Sequence, residues 1–297
     1  MIFIQVILPT LIVFAAGFLL QRKRQLNIGS ISTVAMYIFI PCLIFRTLYQ
    51  TDINLQYAYM IVFAIVLFML TVALNKLYVK IKGLPASYES AYILSTAFMN
   101  IGNYGSPIIL LAYGITAFDY AISFFVLQQI LMNSFGLYYA ARGQLAYQEA
   151  VKKVFQVPAF YAVMIVFIFK VFDLEMPENL FTVIDLLASA AIPTVMVILG
   201  MQLSMIKLKG FGWGEVTYAT LLKLVGVPLA AYGLTLLFPF DPLLQKVLIL
   251  CTAMPSAVVT TMFAVQFDAH PDLVSSTTLI NTVASIGTIT VLLLILG

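Results

Sequence analysis

The chain has 297 residues, of which 63% are hydrophobic and 9% charged, and its mean hydropathy is +1.06. That balance leaves too few polar groups to cover a soluble domain and predicts an integral membrane protein. A net charge of +3 without a polybasic run argues against a nucleic-acid partner, and Cys42 and Cys251, both inside apolar segments, argue against a disulfide framework.

In chain order, apolar runs of about 20 residues, enough helix to cross the hydrocarbon core, predict spans near 2–21, 30–49, 57–79, 88–113, 117–141, 154–173, 179–205, 214–237, 245–267 and 272–296. The connections are short, with no inserted soluble domain. Basic residues precede no first apolar run, so a cleaved signal is not expected. They follow alternate spans instead: Arg22, Lys23 and Arg24; Lys76, Lys80 and Lys82; Arg142, Lys152 and Lys153; Lys207 and Lys209. The other connections are mainly acidic, with Asp52, Asp119, Asp173, Glu175, Glu178 and Asp241. This bias predicts both termini outside. The connection holding Asp268, His270 and Asp272 has no Lys or Arg and is assigned inside by counting alone.

Two spans are interrupted. The fourth contains Asn100-Ile101-Gly102-Asn103-Tyr104-Gly105-Ser106-Pro107, and the ninth contains Ala253-Met254-Pro255-Ser256. Proline removes a backbone donor and glycine weakens the turn. In lipid such breaks are tolerated only where protein or a wet cavity covers the freed groups, so paired breaks in two halves predict a secondary transporter with its site near the midplane. The halves also align. Leu94–Met99 corresponds to Leu250–Pro255, Pro41 to Pro193 and Asp119 to Asp272, at nearly constant offset. Five spans per copy is an odd number, so the second copy enters the membrane upside down. The expectation is an all-α membrane protein of ten helices: residues 1–141 form the first repeat, 142–153 a cytoplasmic linker, and 154–297 the inverted repeat.

On these residues, together with Leu8-Pro9, the whole chain resembles the auxin efflux carrier family, which includes plant PIN-FORMED carriers and bacterial malate-permease-like proteins. The resemblance implies a fold like that of bile-acid symporters and sodium/proton antiporters, with spans four and nine crossing at their unwound centres. It implies a scaffold of spans one, two, six and seven that commonly dimerises, and a transport domain of spans three to five and eight to ten. The short linker favours a bacterial permease of the plasma membrane. The expected activity is passage of small organic anions, by an elevator-like or rocking movement and without a cofactor. A sodium- or proton-coupled symporter is the alternative.

The candidate substrate site is the crossover: Asn100, Gly102, Asn103, Gly105, Pro107, Met254, Pro255 and Ser256, with Ser106, Thr260 and Thr261 nearby. Amino-terminal half-helix ends suit a carboxylate. The polar side chains could equally satisfy the broken backbone, and the glycines and prolines could serve geometry alone. Lys223, in the middle of span eight, is costly in lipid. It could balance an anionic substrate, take the place of a coupling cation, or snorkel to the surface. Gln129 and Asn133 share a face of span five and, with Gln128 and Asn281, could line the route or bond neighbouring helices. Arg46 and Asp185, at equal depth on spans two and seven, are expected to form a buried ion pair in the scaffold. The predicted transport domain holds no acid well inside a span, which disfavours coupling through a carboxylate. A single loop histidine, with no metal motif, argues against an intramembrane enzyme.

The charge bias carries a test. In a cysteine-free background, an impermeant thiol reagent applied from outside is expected to label single cysteines near Asp52 and Glu178 and to miss those near Lys80 and Lys152. The opposite pattern would reverse the orientation.

Overall fold

The computed structural model describes residues 3–52, 54–141, 158–205 and 212–297. The linker 142–153, with Arg142, Lys152 and Lys153, and the pair Lys207 and Lys209 lie outside the described residues. The described residues form helices α1 (Ile4–Arg24), α2 (Ile28–Gln50), α3 (Leu55–Lys82), α4 (Ser87–Thr96), α5 (Ser106–Tyr113), α6 (Ile115–Ala141), α7 (Pro158–Val171), α8 (Glu178–Leu203), α9 (Trp213–Thr235), α10 (Pro242–Thr252), α11 (Val259–Gln266) and α12 (Pro271–Leu296). Among them α1, α2, α3, α6, α8, α9 and α12 are long and apolar enough to cross a membrane, while α7 and α10 are shorter apolar helices. The protein is an all-α, multi-pass membrane protein. The interrupted segment near 88–113 is the pair α4 and α5, and that near 245–267 is the pair α10 and α11.

Several basic residues read from sequence as connections belong to helices instead. Arg22, Lys23 and Arg24 form the last turn of α1, and Lys80 and Lys82 lie in the last turn of α3. Cations at a carboxy-terminal turn face the negative end of the helix dipole, so the helices continue through them. The α1 turn then ends at Gln25, in the left-handed region at φ 48°.

Proline placement explains most of the wide π turns. These occupy Phe3–Ile7, Ala35–Phe39, Ile101–Gly105 and Leu222–Gly226, two residues before Pro9, Pro41, Pro107 and Pro228. A helical proline denies a donor to the carbonyl four residues back and crowds it. That carbonyl belongs in turn to Gln5, Tyr37, Asn103 and Leu224, each the middle residue of its π turn. Widening the turn moves the crowded carbonyl aside without ending the helix. Pro193 is accommodated inside α8 without such a turn, and the π turn at Met132–Gly136 has no proline after it.

Helices α1 and α8 approach until backbone meets backbone. A Cβ on Gly17 would strike the Val197 carbonyl oxygen, and one on Gly200 would strike the Phe14 carbonyl oxygen. Small residues permit such close crossings in membranes, where association depends on packing contacts. Gly17→Val and Gly200→Val are each expected to lower stability by about 1–3 kcal/mol through overpacking. Gly287→Ala, with nothing within 4 Å of the added carbon, should be neutral or slightly stabilising, because alanine is the better helix former. Thermal melting in detergent separates the two classes. Equal melting temperatures for Gly17→Val and Gly287→Ala would refute the close crossing.

Candidate functional site

The two interruptions meet. Met99 and Ser256 form an isolated antiparallel bridge. The Asn100 amide donates to the Pro255 carbonyl at 2.9 Å, and the Ala257 amide donates to the Phe98 carbonyl at 3.1 Å. Each break thereby supplies the partner that the other lost. Pro255 has no amide of its own, but its carbonyl serves as acceptor. Side chains lock the junction: Ser256 Oγ donates to the Ser95 carbonyl, and Asn281 Nδ2 of α12 donates to Ser256 Oγ at 2.8 Å.

Gly105 and Met254 are packing partners. A Cβ on Gly105 would lie 2.8 Å from the Met254 side chain, so only glycine lets the strands cross this closely. Ser106 Oγ bonds back to the Gly102 carbonyl at 2.7 Å, and Pro107 sits in the first turn of α5, where its missing donor is tolerated. Gly105, Pro107, Met254, Pro255 and Ser256 thus build the junction and are absent from the lining of the cavity beside it.

That cavity has a volume of about 640 Å³ and lies between α2 and α8 on one side and the junction on the other. Its junction wall is made by the two amino-terminal half-helix ends, Asn100, Gly102 and Asn103 before α5, and Ala257, Val258 and Val259 at the start of α11. Such ends carry partial positive charge. Gly102 packs against the Phe125 ring, where a Cβ would approach to 2.8 Å. Asn100 is 5% exposed, and among the described residues its Nδ2 has no hydrogen-bond partner. Asn100 lines the cavity, but its Nδ2 is closed off from that space, so this unpaired donor reaches an occupant only through a local shift of the side chain. Gln129 and Thr261 also line the space. The lining includes no Lys or Arg, and Asp272 is its one charged residue.

Lys223 is elsewhere. It is fully buried, which rules out snorkelling, and its Nζ donates to the Thr252 carbonyl at 3.0 Å. It is absent from the lining of this cavity, and its amine faces the carboxy-terminal end of α10 instead. At the matching end of α4 the Ser95 carbonyl accepts from Ser256 Oγ, and Asn75 Nδ2 donates to the Thr96 hydroxyl at 2.8 Å. The negative ends of both broken helices are therefore answered inside the protein, while the positive ends face the cavity.

Other candidates separate. Asn133 bonds back to the Gln129 carbonyl at 2.8 Å and turns toward a small crevice against α7. Gln128 is buried on α6, outside the cavity lining. Thr260 and Thr261 bond back to Ala257 and Val258 carbonyls. Arg46 and Asp185 do pair, at 2.9 Å, and Arg46 also donates to Ser189 Oγ at 3.2 Å. The pair is not buried, however: the Asp185 side chain is 53% exposed. His270 bonds Ser87 Oγ at 2.9 Å and stacks on Tyr88, away from the junction. Ser32, Tyr37 and Gln202 line the cavity without having been singled out in the sequence. For Tyr37 a signal existed, since Pro41 four residues on marks its widened turn.

Residues 2–293 match the family described as membrane transport protein. The chain belongs to this family. An uncharacterized transporter of Methanothermobacter thermautotrophicus is 26% identical over 288 residues, covering 95% of this chain and 94% of its own length. An uncharacterized transporter of Methanocaldococcus jannaschii is 25% identical over 301 residues, covering 96% of each. The family includes auxin-efflux-carrier-like transporters of bacteria and archaea. The chain is accordingly a permease for small molecules rather than an enzyme. Among the described residues no cluster of His, Cys, Asp or Glu could hold a metal ion.

The junction makes a quantitative prediction. Asn281→Ala or Ser256→Ala removes one partner of a buried bond and should cost about 1–3 kcal/mol. The double variant should lose less than the sum, because both changes remove one bond. A double-mutant cycle by thermal melting checks this, and strict additivity would show the bond contributes nothing.

Proposed function

We propose that the protein carries small organic monoanions, held by one carboxylate at the positive half-helix ends beside Asn100 and Asn103. The supporting observation is the unpartnered Asn100 amide where two such ends flank one cavity. The lining is largely apolar and offers no cation, while Asp272 repels added negative charge. These features favour a monocarboxylate with an apolar body over a dianion.

In this proposal the broken pairs α4–α5 and α10–α11 count as spans, giving ten spans in two inverted repeats with both termini outside. Helices α3–α6 and α9–α12 form the transport unit, which slides against α1, α2, α7 and α8 in an elevator-like movement. Two copies join through those scaffold helices. The position of the cavity along that seam supports the division. A bacterial plasma membrane remains the proposed setting, although both relatives described above are archaeal.

Transport without a coupling cation fits Lys223 better than symport does. Its ammonium already occupies the carbonyl end of α10, where a coupling ion would otherwise find an acceptor. Uptake of radiolabelled carboxylates into proteoliposomes tests both parts. Asn100→Ala should weaken binding about ten- to a hundredfold, the scale of one hydrogen bond to a charged group. Lys223→Gln should change affinity less than Asn100→Ala. Sodium or pH gradients should leave the initial rate unchanged. Wild-type affinity in Asn100→Ala would overturn the site, and uptake that requires a sodium gradient would favour the symporter.

A further inference from the structure

A second cavity, of about 330 Å³, opens between α1 and α12. Its walls are Ala15, Phe18 and Leu19 on one side and Val283 and Ile286 on the other. Phe14 and Tyr104 close the floor, with ring centroids 5.4 Å apart. The polar atoms at the floor make no demand on an occupant. Tyr104 OH accepts from Ser285 Oγ at 3.0 Å, and Thr282 Oγ1 donates to the Thr278 carbonyl at 2.7 Å. The groove is thus chemically apolar, and a chain of methylenes fills it at no cost in unpaired polar groups.

One end of this groove is strongly basic. Arg22, one helical turn beyond Phe18, holds its guanidinium carbon 5.4 Å from the centroid of the Phe18 ring. Lys23 and Arg24 follow in the same exposed turn, and no ion pair among the described residues engages any of the three. An apolar slot that leads along one helix to unneutralised cations matches a molecule with an acyl chain and an anionic head. A second copy docked about a twofold axis would bring its own basic turn alongside, like charge against like.

We infer that the groove between α1 and α12 is a binding site for an anionic phospholipid, with one acyl chain against Phe14 and Tyr104 and the phosphate at Arg22–Arg24. The floor residue Tyr104 lies in the π turn of the interrupted segment, and α1 packs on α8. The lipid therefore touches both the junction and the α1–α8 pair, and fills the gap between them. This assignment stands whatever the substrate is.

The test uses a single-tryptophan reporter, Leu19→Trp in a Trp213→Phe background, in phosphatidylcholine vesicles. Brominated phosphatidylglycerol is expected to quench the reporter more than brominated phosphatidylcholine at equal mole fraction. Each basic charge should contribute about fivefold to relative affinity, so replacing Arg22, Lys23 and Arg24 together with Gln should abolish the preference. Ala15→Phe, which fills the groove and keeps every charge, should abolish it too. Equal quenching by the two lipids in the parent reporter would overturn the proposal. Selectivity that survives Ala15→Phe would also overturn it, because the anion would then be held at the surface without a seated chain.

Discussion

In hydrocarbon a peptide group has no water to bond, so a helix that breaks must find partners for every amide and carbonyl its ladder releases. This chain breaks twice, and the released groups satisfy one another through the Asn100–Pro255 and Phe98–Ala257 backbone bonds. The reciprocal arrangement ties the positions of the two breaks together. Gly105 exists to let Met254 approach, Asn281 reaches across to hold Ser256, and both half-helix starts are brought to one wall of a cavity. Removing either break would leave the other with unpaired backbone inside the protein.

The junction also fixes the electrical layout. A broken helix has two extra ends of opposite polarity, and burying the negative ends without compensation would be costly. Lys223 donates to a carbonyl at one of them, and Ser256 Oγ donates to a carbonyl at the other. With the carbonyl ends occupied, the amide ends are left as the polar surface on which a guest can act. Lys223, the one fully buried lysine among the described residues, thus sits at the end of α10 and outside the cavity lining.

Much of this was legible in the sequence, and the limits have physical causes. Proline and glycine announce a broken helix by what they lack, so the interruptions at Asn100–Pro107 and Met254–Pro255 could be read directly. The depth of Lys223 could also be read, since charge in an apolar run is conspicuous. Its partner could not, because the Thr252 carbonyl is a backbone group, and every residue has one. Arg46 and Asp185 could be matched by depth, but their exposure depends on which neighbours cover them, which no pattern along one helix encodes. Gln202 was hidden for a similar reason. A cavity is defined by facing helices, and a lone aromatic or amide near a helix end reads the same whether it faces a hollow or a neighbour.

The close crossing of α1 and α8, Gly17 against Val197 and Gly200 against Phe14, has a consequence for how the protein is made. Helix α1 is synthesised before α8, yet the surface that its glycine is shaped to meet belongs to that later helix. Chains are produced from the amino terminus, and early segments must wait for later ones. The first helix therefore resides in the bilayer with its flat face covered by lipid until α8 is inserted beside it. Its own apolar length and basic last turn must hold it in place through that interval, which asks of α1 an independence that later helices do not need.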